Sequence, residues 1–257
     1  MKIVAIVQAR MGSSRLPGKV LADVCGKPLL HYVVSRVRQA RTLSLFAVAT
    51  SDHPTDDVVE KYCQINGVPY FRGNEDDVLD RYYRAAKHFQ ANVIVRLTAD
   101  CPLLDPAIID KVVETFMTGK FDYCSNTQQP SYPDGLDTEV FTWDALARSW
   151  QEAHLRSERE HVSTYITKNP CRFRIGSVKH DQDLSRLRWT VDEPQDLDLI
   201  REIYRHLPNK ENFRLDDVLA LYREHPEFAE INSEIARNEG YKKSLQEDAV
   251  KMLEAKL

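Results

Sequence analysis

The sequence predicts an α/β fold in which a mostly parallel sheet carries helices on both faces. Two observations lead there. Between residues 3 and 97, short apolar runs alternate with amphipathic stretches, strand then helix. The runs are dense in Val, Ile, Leu and Ala, as strands covered on both faces are. With 257 residues, 42% of them apolar, the chain can build the large core such a sheet needs.

The elements follow in order. Ile3 to Val7 is an apolar first strand. Pro28 to Ala40 places Leu29, Leu30, Tyr32, Val33, Val34 and Val37 at helical spacing, one face toward a sheet. Leu45 to Thr50 is a second strand, followed by the polar loop Ser51-Asp52-His53-Pro54-Thr55. A helix is expected from Asp56 to Asn66, with Thr55 or Asp56 as its N-cap. Val68 to Arg72 reads as a short strand, Val78 to Phe89 as a helix rich in Tyr and Arg, and Asn92 to Leu97 as a fourth strand. Residues 121–141 break the rhythm with Asp122-Tyr123-Cys124-Ser125-Asn126, the turn Tyr132-Pro133-Asp134-Gly135, and Thr138 to Phe141. We expect a hairpin-like excursion there, a common place to read a second substrate. Leu187 to Val191 reads as a short apolar strand ending in Asp192, after which Glu193-Pro194 starts a helix. From residue 209 the chain is highly charged with helical spacing, so 209–257 is expected to be a helical extension.

The most informative stretch is the loop after the first strand, Gln8-Ala9-Arg10-Met11-Gly12-Ser13-Ser14-Arg15-Leu16-Pro17-Gly18-Lys19. Ser and Gly backbone N–H groups can line a concave nest, while Arg and Lys supply the charge that phosphate oxygens need. Ligands of open α/β sheets sit at the carboxyl ends of strands, and that is where this loop begins. Its spacing is neither GxxxxGK[ST] nor GxGxxG. The fourth strand also empties into a polar turn, Thr98-Ala99-Asp100-Cys101-Pro102. Asp100 and Asp192 therefore stand at two strand ends opposite a phosphate-binding loop. Magnesium takes few carboxylates and completes its shell with water and substrate phosphates, so the two aspartates suit it. Both residues also suit plain turn or helix-cap roles. Asp134, Asp137 and Glu139 could hydrogen-bond an acceptor or be rim charges; His161 could contact an acceptor or be a satisfied helix histidine. The pair Tyr82-Tyr83 fits the buried face of its helix better than a base-stacking platform.

Composition narrows the classes. A net charge of −4 argues against non-specific nucleic-acid binding. No apolar run has the length of a membrane span, and no leader precedes the first strand, so a cytoplasmic protein is expected. Five scattered cysteines without a CxxC pair argue against a zinc site or a disulfide framework.

Several motifs occur in order: ARMGSSRLPGK at 9–19, VATSD at 48–52, RGNEDDVLDRYYRAA at 72–86, RLTADCPL at 96–103, DGLDTEVF at 134–141, SEREHV at 157–162 and WTVDEPQDL at 189–197. Together they resemble the spore coat polysaccharide biosynthesis protein F family, which is similar to the cytidylyltransferases for 3-deoxy-manno-octulosonate and N-acylneuraminate. The resemblance implies a Rossmann-like three-layer nucleotidyltransferase (GT-A-like) fold over 1–208, with 121–162 as the acceptor and dimerisation excursion. It implies transfer of CMP from CTP to an acidic sugar or a phospho or phosphono acceptor, with Mg²⁺ as cofactor, in surface glycan biosynthesis. Gln8, Ala9, Arg10, Gly12, Ser13, Ser14, Arg15 and Lys19 then grip the triphosphate, Arg15 and Lys19 stabilising the leaving pyrophosphate, and Arg72 and Arg81 lie near the base. Asp100 and Asp192 hold the metal. Relatives with a D-x-D in the last motif differ from this chain, which has Thr190 at the first position. A homodimer is expected on the same ground. The rival class is a nucleotide-sugar-dependent glycosyltransferase, which commonly carries Asp-x-Asp where this chain reads Thr-Ala-Asp-Cys-Pro.

Overall fold

The computed structural model describes residues 1–237 and 239–254. The first half runs β1 (Ile3–Gln8), a hairpin of β2 (Asp23–Val24) and β3 (Lys27–Pro28), α1 (Leu29–Val37) and β4 (Leu45–Ser51). It continues with α2 (Asp57–Ile65), β5 (Tyr70–Gly73), α3 (Val78–His88) and β6 (Val93–Thr98). The second half adds α4 (Pro106–Gly119), β7 (Tyr123–Ser125), β8 (Glu139–Thr142), α5 (Trp143–Glu152), α6 (Arg156–Glu160) and α7 (Thr164–Lys168). It closes with β9 (Ile175–Ser177), α8 (Pro194–His206), α9 (Leu215–Glu224) and α10 (Glu239–Glu254).

Seven strands form the main sheet in the order β5-β4-β1-β6-β8-β7-β9. The parallel pairs β1–β4, β1–β6 and β4–β5 build its centre, so the first and fourth expected strands are neighbours, with Gln8 opposite Thr98. Each strand's alternation feeds two cores. Ala5 and Val7 face one with α1, α4, α8 and α9; Val4 and Ile6 face the other with α3, α5 and α7. Tyr82 is fully buried, and its hydroxyl donates to the carbonyls of Ile6 and Leu97 (both 3.1 Å), tying β1 to β6 at their carboxyl ends. Tyr83 is half-buried and stacks on Trp150 at 4.2 Å.

Residues 121–141 do form an antiparallel pair, β7 with β8, but β8 also pairs antiparallel with β6. The hairpin is thus the far half of the main sheet, while its connection, 126–138, carries Asp134 and Asp137 to the site. The segment expected as a strand over 187–191 joins no ladder beyond one parallel bridge between Arg188 and Asp134. Its N–H groups go to loop carbonyls instead, Trp189 to Asp134 (2.6 Å) and Val191 to Asp100 (2.8 Å). Strand β5 starts at Tyr70 rather than 68, because Pro69 has no N–H to give a ladder. The helix expected from Asp56 begins as a 3-10 turn, Pro54–Asp56, and becomes α2 at Asp57. Asp56 does not cap it with its side chain; its carboxylate binds the Ser51 N–H (3.1 Å) and hydroxyl and the Met11 N–H (2.7 Å). Past residue 208, Phe213, Val218, Leu221 and Phe228 pack into the first core. The last three residues of the expected extension, 255–257, and Asn238 lie outside the described residues.

Candidate active site

The loop after β1 folds around one carbonyl: Met11 O accepts the N–H groups of Ser13 (2.9 Å) and Gly18 (3.0 Å). Gly18, at φ +74, turns the chain through the left-handed region that a side chain disfavours, and this places Lys19 at the start of a 3-10 turn. The Lys19 side chain then runs inward. Its Nζ donates to Asp100 Oδ2 (2.8 Å), Asp192 Oδ1 (2.7 Å) and the Val191 carbonyl (2.7 Å). Burial alone would lower the Lys19 pKa, yet the two carboxylates outweigh it and raise it. Burial likewise pushes Asp100 up, but Lys19 and the Thr98 hydroxyl (2.5 Å) pull it down to about 2. Both groups are therefore charged near neutral pH.

Arg188, absent from the sequence-level site, is the hub beside them. Its guanidinium reaches Asp134 (3.0 Å), Asp192 (2.9 Å) and Asp196 (2.9 and 3.0 Å), with 7% of the side chain exposed. Asp196 also accepts the N–H of Asp192 (2.9 Å) and of Glu193 (3.0 Å), which fixes the turn before α8. The spacing of Arg188, Asp192 and Asp196, four residues apart each time, was a readable signal. Arg15 lies 3.2 Å from Asp192 and 3.3 Å from Glu193.

Two clefts open on this cluster. A cleft of 460 Å³ is lined by Gln8, Arg10, Ser13, Ser14, Arg15 and Lys19 of the loop, together with Arg96, Thr98, Asp100 and Asp192. The second, of 420 Å³, holds Asp134, Asp137, Glu139, Ser163 and Arg188. Arg15, Arg96, Thr98, Asp100, His161 and Asp192 line both. Ala9 is buried behind the loop and Gly12 does not line the first cleft.

Arg72 and Arg81 line neither cleft. Arg72 binds Glu60 (2.5 Å), Asp57 (2.8 Å) and the Ser51 and His53 carbonyls. Arg81 is fully buried and donates to the carbonyls of Asn74 (2.8 Å) and Glu75 (3.3 Å). Glu139 is bound by Arg96, by the Tyr123 hydroxyl (2.6 Å) and by the Ser163 hydroxyl (2.5 Å). Burial raises its pKa, but Arg96 and these donors outweigh burial and leave it lowered. Burial first, then the neighbouring Asp134 carboxylate, pushes Asp137 up to about 7. His161 ends α6, meets the Ser244 hydroxyl at 3.0 Å and lines both clefts, so it is at once a satisfied helix-end histidine and a wall residue. Arg96 had a sequence signal too, as the lone charge in a buried strand.

The donor set fits a magnesium ion. Two carboxylates, Asp100 and Asp192, converge on one cationic point, and the phosphate-binding loop faces them. Among the described residues no group of three or more His, Cys, Asp or Glu is placed to hold a metal ion; magnesium ordinarily takes one or two carboxylates and completes its shell with water and substrate phosphates. Among the same residues, no helix is long and apolar enough to cross a membrane.

Comparison with known proteins agrees with this geometry. Residues 4–224 match the family model described as cytidylyltransferase. The spore coat polysaccharide biosynthesis protein SpsF of Bacillus subtilis is 32% identical over 234 residues, 88% of this chain and 96% of that protein. A solved structure of a cytidylyltransferase from Leptospira borgpetersenii superposes with a TM-score of 0.85 at 32% identity, over 89% of this chain and 97% of that one. A 3-deoxy-manno-octulosonate cytidylyltransferase of Trichlorobacter lovleyi is 39% identical over 118 residues, 46% of each chain. A cationic loop at the end of β1, two aspartates facing it and this set of relatives lead to one conclusion: the chain belongs to the cytidylyltransferase family and is a nucleotidyltransferase that uses CTP.

Proposed function

We propose that this protein transfers CMP from CTP to an acidic sugar, with Mg²⁺, in the assembly of a surface glycan. The single observation that carries this is the pair of adjoining clefts that share Arg15, Asp100 and Asp192. A triphosphate on the loop and an acceptor in the second cleft would meet at those residues. The named activity of the Trichlorobacter lovleyi relative and the glycan role in the SpsF name support the acceptor class.

Asp100 and Asp192 would hold the ion, which supplies charge neutralisation across the phosphates. Arg10, Arg15 and the nest N–H groups bind and orient the triphosphate. An acceptor oxygen forms its bond to the α-phosphorus in line while the bond to the β-phosphate oxygen breaks, and pyrophosphate leaves with that electron pair. A hydroxyl acceptor gives its proton to solvent water in the same event. Lys19 and Arg15 meet the growing negative charge on pyrophosphate, and positioning with charge neutralisation does most of the work. In this reading two copies pair into a homodimer, with the 121–162 region near the partner.

Pyrophosphate release tests the proposal. Each of the four NTPs is paired in turn with 3-deoxy-manno-octulosonate, N-acetylneuraminate, sugar phosphates and phosphonates, with Mg²⁺, and Asp100→Asn protein is the blank. Release that needs CTP and a sugar acid, and vanishes in the blank, supports the reading. Release only with a phosphate or phosphonate acceptor would overturn the sugar-acid assignment.

A further inference from the structure

The family match ends at residue 224, yet the chain returns to the site beyond it. Ala236, Gly240 and Tyr241 line the second cleft, and Gly240, Ser244 and Glu247 line the first. Polar contacts hold this arm down. Arg237 Nη2 donates to Asp137 (2.9 Å), and its Nε lies 3.6 Å from Asp134. The Ser244 hydroxyl donates to Glu160 (2.9 Å) and meets His161, Glu247 pairs with Arg156 (2.9 Å), and Asp248 accepts the Ser157 N–H (3.2 Å). Tyr241 stands edge-on to the His161 ring at 5.2 Å. Among the described residues, none beyond Ile231 joins either hydrophobic core.

We propose that the arm carrying Ala236, Arg237, Gly240 and Tyr241 is a lid over the acceptor half of the site, latched by Arg237 on Asp134 and Asp137, and that Tyr241 sets which acceptor fits beneath it. This rests on the reading of the second cleft as the acceptor site. An arm held mainly by ion pairs and hydroxyls, whose described residues join neither core, opens more easily than a helix packed in the core. Asp134 and Asp137 crowd each other and need a cation, and Arg237 brings one from the arm. Arg237 Nη1 is buried without a partner, so the latch leaves one donor unsatisfied even when shut. Closure would place Tyr241 against the bound acceptor and keep water from the α-phosphorus.

The test uses the full chain. Amide hydrogen exchange along 239–254 is compared between the wild type and Arg237→Gln, alone and with CTP and Mg²⁺. Steady-state KM values for CTP and for the sugar acid that supports turnover are measured in Arg237→Gln and Tyr241→Ala. We expect exchange of the arm to rise about tenfold in Arg237→Gln while β1 and β6 stay protected, and the acceptor KM to rise about tenfold with the CTP KM within about twofold. Unchanged arm exchange in Arg237→Gln would overturn the latch. A rise shared equally by the two KM values would overturn the acceptor role. If no sugar acid turns over, the acceptor reading fails in that assay and the specificity role falls with it, while exchange still decides the latch.

Discussion

Asp134 and Arg188 are joined twice. Their backbones form the isolated parallel bridge, and their side chains meet at 3.0 Å. The acceptor-side turn is thereby fastened to the segment that carries Asp192. Removing the guanidinium in Arg188→Met would leave three carboxylates without it, Asp196 among them fully buried. Breaking a buried pair from one side costs about 3–5 kcal/mol. At about 2–4 °C per kcal/mol for a chain of this size, calorimetry should show a fall in Tm of roughly 6–20 °C. Arg188→Lys keeps the charge but not the fork, and should fall between.

Lys19→Met removes the cation between Asp100 and Asp192. Losing one such contact to developing charge should lower kcat on the order of 10²–10³. A loss confined to the CTP KM, with kcat intact, would show that Lys19 serves ground-state binding alone.

Asp100→Asn tests the proposed magnesium site. Wild-type turnover should need Mg²⁺ and stop with excess EDTA. The variant should bind Mg²⁺ together with CTP about tenfold or more weakly in calorimetric titration. Equal Mg²⁺ dependence in both proteins would move the site away from Asp100.

Acid should weaken the fold through carboxylates held low in the native state. Asp100 lies at about 2 when folded and near ~3.9 when unfolded. Its contribution is therefore present above about pH 4 and is lost as pH falls through about 2. Asp196 and Glu139 are lowered too and act in the same direction. Urea midpoints measured from pH 6 down to pH 2 should drop in the wild type and drop less steeply in Asp100→Asn, where Asp196 and Glu139 still titrate.

Gly135 sits at φ +108, and a Cβ there would come within 2.6 Å of the Thr190 nitrogen and the Trp189 carbonyl carbon. Both neighbours are backbone and cannot swing aside. Backbone strain and overpacking each cost about 1–3 kcal/mol, so Gly135→Ala should destabilise by on the order of 3 kcal/mol. Its turnover should drop as well, since residues 189–192 must shift.

The centre of the fold was legible because buried parallel strands and one-faced helices leave strong periodic marks: Ile3–Gln8, Leu45–Ser51, Val78–His88 and Val93–Thr98 stand where the pattern put them. The loop cations were legible as well, since Arg, Lys, Ser and Gly have few other reasons to cluster after a buried strand. Helices α4 and α5 do carry start signals, Asp105 before Pro106 and the cap Thr142, whereas the short α6 and α7 and the strand β9 leave too little pattern to be expected. Arg188 left a partial signal in its spacing to Asp192 and Asp196, but its reach to Asp134, like that of Arg237 to Asp134 and Asp137, spans distant parts of the sequence that only the folded chain brings together.

The ammonium of Lys19 closes two long loops, reaching Asp100 across 81 residues and Asp192 across 173. Contacts of such separation pay their closure entropy before they return any stabilisation. The site therefore cannot exist in a partly folded chain that lacks residues 188–196 in place. In refolding, recovered turnover should trail the far-ultraviolet helix signal, so activity would report arrival at the native state and secondary structure would not.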